Sequence, residues 1–204
     1  MRSTIVSCPV LLALLASQAT AQEPYDYGAN CRSWPAVHGQ YSVGTVEFEV
    51  TDRVRSAQYA SVPTDYRRLY VRAWYPAESV AGIDPRPYLT EAEVPALTGG
   101  MLALFQQPAD ALRDCATLAT NGHPGAKPAP GRFPVVGFNH GYTSYPAQQT
   151  ALFEHLAANG YVVLTVGHPY EPGGIVYPNG DVLTISPRIL QDLGAQGRAW
   201  RRPI

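Results

Sequence analysis

The chain has 204 residues, 46% of them hydrophobic and 15% charged, with a formal net charge of −1. That length suits one domain with its own core. The near-neutral balance and the lack of a basic stripe argue against a nucleic-acid partner.

Residues 1–21 carry the pattern of a secretory leader: Arg2 as the positive start, Val10 to Ala16 as the apolar stretch, and Ala19-Thr-Ala21 as a small-x-small cleavage site. The apolar run is too short to span a bilayer, and no later segment has transmembrane length. Cleavage would leave residues 22–204 as a single domain. It would also take Arg2 from a net charge of −1, leaving −2. Cys8 goes with the leader. Cys31 and Cys115 remain, and an even pair in an exported chain is a disulfide candidate.

Residues 22–42 read as an irregular lead-in broken by Pro24, Gly28, Pro35 and Gly39. Val43 to Thr51 alternates, with Val46, Phe48 and Val50 set against Glu47 and Glu49, which predicts a half-buried strand with the valines and phenylalanine inward. Arg68 to Tyr75 alternates again, stops at Pro76, and is expected to pair with the first strand through the loop Ser56–Asp65. Thr90-Glu-Ala-Glu93 has the spacing of a capping box and predicts a helix start, weakened or split by Gly99-Gly100. Pro108 to Leu118 predicts a second helix with Pro108 in its first turn. Gly122 to Gly131 reads as a surface loop.

Pro134 to Phe138 is a continuous apolar run, the pattern of a strand buried on both faces. It stops at the turn Asn139-His-Gly-Tyr142. Pro146 opens a predicted helix, in which Ala151, Leu152, His155, Leu156 and Ala158 recur near helical spacing, and Asn159-Gly160 closes it. Tyr161 to Val166 is the next buried strand. Strand, helix and strand with short links make a parallel βαβ unit. After His168-Pro169, Asn179-Gly180 between apolar runs predicts a hairpin. The tail Ser186–Ile204 starts as a possible helix and ends without a pattern.

Four segments in this order carry a resemblance: Leu69-Tyr-Val-Arg-Ala-Trp-Tyr-Pro76, Phe133-Pro-Val-Val-Gly-Phe-Asn-His-Gly141, Leu156-Ala-Ala-Asn-Gly-Tyr-Val-Val163 and His168-Pro-Tyr170. Together, Arg68 to Ile185 resembles the N-terminal half of the platelet-activating factor acetylhydrolase family of α/β-hydrolases. The resemblance implies an α/β chain with a partial α/β-hydrolase fold. Its sheet is mixed and mostly parallel with flanking helices, and it stops before the nucleophile strand. It further implies a secreted serine esterase acting on short-acyl or phospholipid esters, without a cofactor. The residue after His140-Gly141 would donate its backbone N–H to the oxyanion, which is Tyr142 here. The family's nucleophile sits on a Gly-x-Ser-x-Gly elbow, and these residues hold no such motif. Asn139 stands where a small Ser is common in the family. The alternative is a non-catalytic secreted binding module, or a truncated gene product, on the same scaffold.

The remaining candidates have plainer readings. His140 is expected to shape its turn by hydrogen bonding. His168, at a strand exit, either lines the cleft or packs. Ser144 lacks flanking glycines and is expected to cap the helix before Pro146. Asp181 and Asp192 read as turn and surface residues. His38, His123 and His155 share no metal-ligand spacing with the other two histidines. These residues alone are expected to have negligible esterase activity, with one edge of the Pro134–Phe138 strand unpaired. Oligomeric state is not legible.

Overall fold

A computed structural model describes residues 33–57, 59–60, 66–99, 112–189 and 191–192. Five strands form one sheet in the order β3-β1-β2-β5-β4. They are β1 (Ser42–Ser56), β2 (Tyr66–Ala77), β3 (Gly122–Pro124), β4 (Val135–Asn139) and β5 (Val162–Gly167). β1 runs parallel to β3, and β4 parallel to β5, while β2 is antiparallel to both its neighbours. Four of the five strands therefore share one direction and β2 alone opposes them. This is the mixed, mostly parallel sheet that the sequence implied.

The predicted crossover is present. β4 leads into α3 (Thr150–Ala158), which returns the chain to β5, and Val136 pairs with Val163 in parallel register. α3 presses Phe153, Ala157 and Ala158 onto Trp74, Val163 and Val43. The Trp74 and Phe153 rings lie 4.9 Å apart, as do those of Phe138 and Phe153. Each large apolar side chain buried in this way contributes roughly 1.5–3 kcal/mol. Asn159 caps the helix, and Gly160 follows at φ +89°, a left-handed conformation that favours glycine. The helix begins later than Pro146 suggested, because residues 146–149 form turns. Ser144 is not its N-cap, since that position falls on Gln149 and the Ser144 hydroxyl donates to Gln148 Oε1 instead.

The alternation along β1 is real, but its faces are reversed. Val46 is 44% exposed and Phe48 39%, whereas Glu47 and Glu49 point to the covered side. The reason is charge matching across the sheet. Glu47 faces Arg72, and Glu49 accepts two hydrogen bonds from Arg68, at 2.9 and 2.7 Å. Alternation shows that two faces differ; the partners decide which one is covered.

Among the described residues β4 has the unpaired edge expected of it, but it is not buried on both faces: Val135 is 62% exposed. Val136 and Phe138 pack toward α3, but the opposite face of β4 has no cover among the described residues. Within the expected loop 122–131, Gly122–Pro124 forms β3, which extends the sheet beyond β1.

The capping box at Thr90 is formed reciprocally. Glu93 N–H donates to Thr90 Oγ1 at 3.2 Å, and Thr90 N–H to Glu93 Oε2 at 2.7 Å. The helix α1 (Glu93–Leu97) is short, and α2 is shorter still at Arg113–Ala116. The Pro108 start of the second predicted helix lies outside the described residues. So do the leader, Cys31 and most of the tail. The hairpin at Asn179-Gly180 is present as β6 (Gly174–Val176) and β7 (Val182–Thr184), with Gly180 at φ +89°.

Glu154 ties distant segments together from inside α3. Its carboxylate accepts the Trp34 indole N–H at 2.7 Å, the Asn121 backbone N–H at 3.0 Å and the Asn121 side-chain amide at 2.9 Å. Among the described residues, no helix is long and apolar enough to cross a membrane.

Candidate active site at the carboxyl ends of β4 and β5

Parallel strands place their carboxyl ends together, and ligands collect beyond such ends. Here β4 delivers Asn139, His140, Gly141 and Tyr142, and β5 delivers His168. The His140 and His168 rings lie 5.7 Å apart.

The turn after β4 is tight. Ser144 N–H donates to the Gly141 carbonyl at 2.8 Å, closing a four-residue turn with Tyr142 and Thr143 at its centre. Thr143 has φ +68°, a left-handed conformation that costs a β-branched residue about 1–3 kcal/mol. Thr143 is buried and bridges to Pro172, and Gly173 N–H donates to the Ser144 carbonyl at 3.0 Å. The neighbouring loop therefore holds the strained residue in place. The Tyr142 N–H donates to no acceptor among the described residues.

His140 shapes this turn. Its Nδ1–H donates to the Gly141 carbonyl at 2.9 Å, which leaves the Nε2 lone pair buried without a partner among the described residues. Burial holds its pKa below the usual histidine value, with the Gly141 bond acting in the opposite direction.

His168 is engaged on both nitrogens. Arg67 Nη2 donates to Nδ1 at 2.7 Å, so the proton resides on Nε2 and is donated to Asn139 Oδ1 at 3.1 Å. Glu171 Oε1 lies 3.8 Å from the same guanidinium nitrogen. Burial is the largest influence on His168 and lowers its pKa, Arg67 and His140 lower it further, and Glu171 opposes them. In this arrangement His168 has no lone pair free to accept a proton. Asn139 is the acceptor that orients it.

Beside the turn, a groove of about 390 Å³ is bordered by Tyr59, Arg67, Pro169 and Glu171. The Tyr142 phenol is pushed up to about 12 by partial burial and a hydrogen bond to Tyr59.

The turn residues and His168 thus converge at one end of the sheet. Arg67, which completes the network, was not singled out from sequence: it lies 101 positions from His168 and carries no local motif. Among the described residues no serine hydroxyl is hydrogen-bonded to a histidine. Nor does any group of three His, Cys, Asp or Glu side chains there suit a metal ion. The Cys115 sulfur, on α2, is not a free thiol.

Residues 28–179 match the protein family described as platelet-activating factor acetylhydrolase, isoform II. No curated protein matches the chain. Among solved structures, a ferulic acid esterase from Streptomyces cinnamoneus superposes with a TM-score of 0.63 at 23% identity. The match covers 84% of this chain and 50% of the esterase, so the chain spans about half the length of that structure. At this identity the likeness speaks to the fold.

Proposed function

The chain belongs to the platelet-activating factor acetylhydrolase, isoform II, family, and from that premise we propose that it forms the oxyanion-bearing part of a carboxylic ester hydrolase. The supporting observation is the turn at the end of β4, where the Tyr142 N–H has no acceptor among the described residues. When a serine attacks an ester carbonyl, negative charge develops on the former carbonyl oxygen. A backbone N–H fixed toward that oxygen favours the tetrahedral intermediate, and one such donor contributes about 10²–10³ in rate.

The substrate is a short-acyl or phospholipid ester. The nucleophile and general base come from sequence beyond these residues, which contain no Gly-x-Ser-x-Gly. The same reading includes export, on the leader pattern of residues 1–21, and a Cys31–Cys115 disulfide formed in the oxidising compartment.

Fluorophosphonate labelling tests this proposal on the product of the complete coding sequence, with residues 22–204 alone in parallel. Expected are a labelled serine outside these residues and hydrolysis of nitrophenyl acetate by the complete protein only. A complete, folded protein that neither labels nor hydrolyses the ester overturns the reading. So does a label on Ser144.

A further inference from the structure

On the covered face of the sheet, between α1 and the β6–β7 hairpin, lies a group of charges apart from the turn. Arg72 is 1% exposed; its Nη2 donates to Glu93 Oε1, and its Nε lies 2.8 Å from Glu47 Oε1 without the alignment of a hydrogen bond. Arg86 Nη2 donates to Glu93 Oε2 at 3.3 Å and lies 3.3 Å from Glu47 Oε1. Glu93 Oε2 also accepts the Thr90 N–H. Both oxygens of Glu93 are therefore committed.

Three donors remain. Arg72 Nη1, Arg86 Nη1 and the Tyr70 hydroxyl are buried and have no acceptor among the described residues. Leaving a buried donor unmatched is costly, most of all on a charged group. Tyr70 and Arg72 border a cavity that leaves about 20 Å³ open to the centre of a water-sized sphere. Its other walls include Glu93, Leu89, Leu97, Tyr145 and Ile175, while Arg86 stands behind Glu93 and does not line it.

We propose that this cavity is a binding site for a single halide ion, chloride in an ordinary medium. Every unmatched polar atom at the site can donate. A water molecule would bring two protons of its own into a cavity whose one carboxylate is already engaged; a halide only accepts. The charge balance points the same way. The two arginines and two glutamates cancel formally, but the Glu47 side chain is 31% exposed and is screened by solvent. The enclosed group thus holds two guanidinium ions against one well-buried carboxylate. Size selects the ion: one water-sized sphere needs about 10–15 Å³, so sulfate, phosphate or a carboxylate does not fit.

The ion would join β2 and α1 to the segment Tyr145–Ala147, which leads from the turn after β4 into α3. It would therefore act on the stability of the part of the chain that carries the turn. This inference does not depend on the hydrolase reading.

The test compares thermal unfolding of the full chain in sodium chloride and in sodium gluconate at equal ionic strength, with crystals grown in bromide for anomalous scattering. With halide at about ten times its dissociation constant, unfolding moves up by roughly 3–6 °C relative to gluconate. Bromide gives an anomalous peak beside Tyr70 and Arg72. Tyr70→Phe keeps the ring, removes one donor and loses at least half of the halide-specific shift. Density without an anomalous signal identifies a water and overturns the site. A bromide peak with no halide-specific shift marks an adventitious ion and does the same. So does a Tyr70→Phe protein with the full shift.

Discussion

Arg67 and His168 act as one unit at the exit of β5. The guanidinium donates to Nδ1 at 2.7 Å, and this single contact fixes the proton on Nε2 and turns the ring toward Asn139.

The first prediction concerns pH. His140 and His168 both have folded-state pKa values below the reference of 6.5, chiefly because they are buried. The unfolded chain therefore takes up these protons more readily than the folded one. Stability is full above about 6.5 and is lost as pH falls below it. Urea unfolding at about pH 7 and about pH 5 should show this loss, and a His140→Gln/His168→Gln protein should show less of it. Glu49 and Glu93 titrate below their reference of 4.5, so their losses begin at lower pH and stay separate. Equal slopes in the two proteins would contradict the assignment.

The Tyr142 N–H can be removed without disturbing the turn. Tyr142 is the second of the four turn residues, where proline's fixed φ is accommodated. In a complete, active protein, Tyr142→Pro should lower kcat by about 10²–10³. Tyr142→Phe, which keeps the N–H, should stay near the parent rate. Equal kcat values for the two variants would remove Tyr142 from the oxyanion site.

Arg72→Leu should destabilise the chain by about 3–5 kcal/mol in chemical unfolding, because it removes the donor to Glu93 Oε1 and leaves that oxygen unpaired in the interior. Glu47→Gln, at the solvated side of the same group, should cost about 1 kcal/mol or less. The reverse ranking would mean that the buried pair is not the one that matters.

Gly174 stands where β6 meets α1. A Cβ there would lie 2.5 Å from the Ala96 carbonyl oxygen, a backbone atom that cannot swing away. Gly174→Ala should therefore cost about 1–3 kcal/mol. Gly180→Ala is a useful contrast, since a Cβ at that position meets nothing within 4 Å and strains only a φ of +89°. A Gly174→Ala protein with parental stability would argue against this packing of hairpin on helix.

Local signals made much of the fold legible before any coordinates. The apolar run, the helical spacing and the Asn159-Gly160 stop defined the β4–α3–β5 unit because each is set by a few neighbouring residues. The Thr90–Glu93 box and the Asn179-Gly180 turn were readable for the same reason. What failed was long-range. β3 is three residues added beside β1 from a distant segment, and no short pattern marks such an edge. The faces of β1 were reversed because Arg68 and Arg72 recruit its glutamates to the covered side. β4 looked buried on both faces from composition, yet one face is bare among the described residues; its bare edge was expected. In the site, the turn was visible, while the Arg67–His168–Asn139 network depends on three separate segments.

The bond from the Trp34 indole to Glu154 spans 120 positions and fastens the lead-in to α3. Contacts of such separation form late, after the entropy of closing the loop has been overcome. Trp34 therefore serves as an intrinsic fluorophore for the docking of the N-terminal arm. Its emission would report that arm's detachment in solution before the rest of the sheet melts.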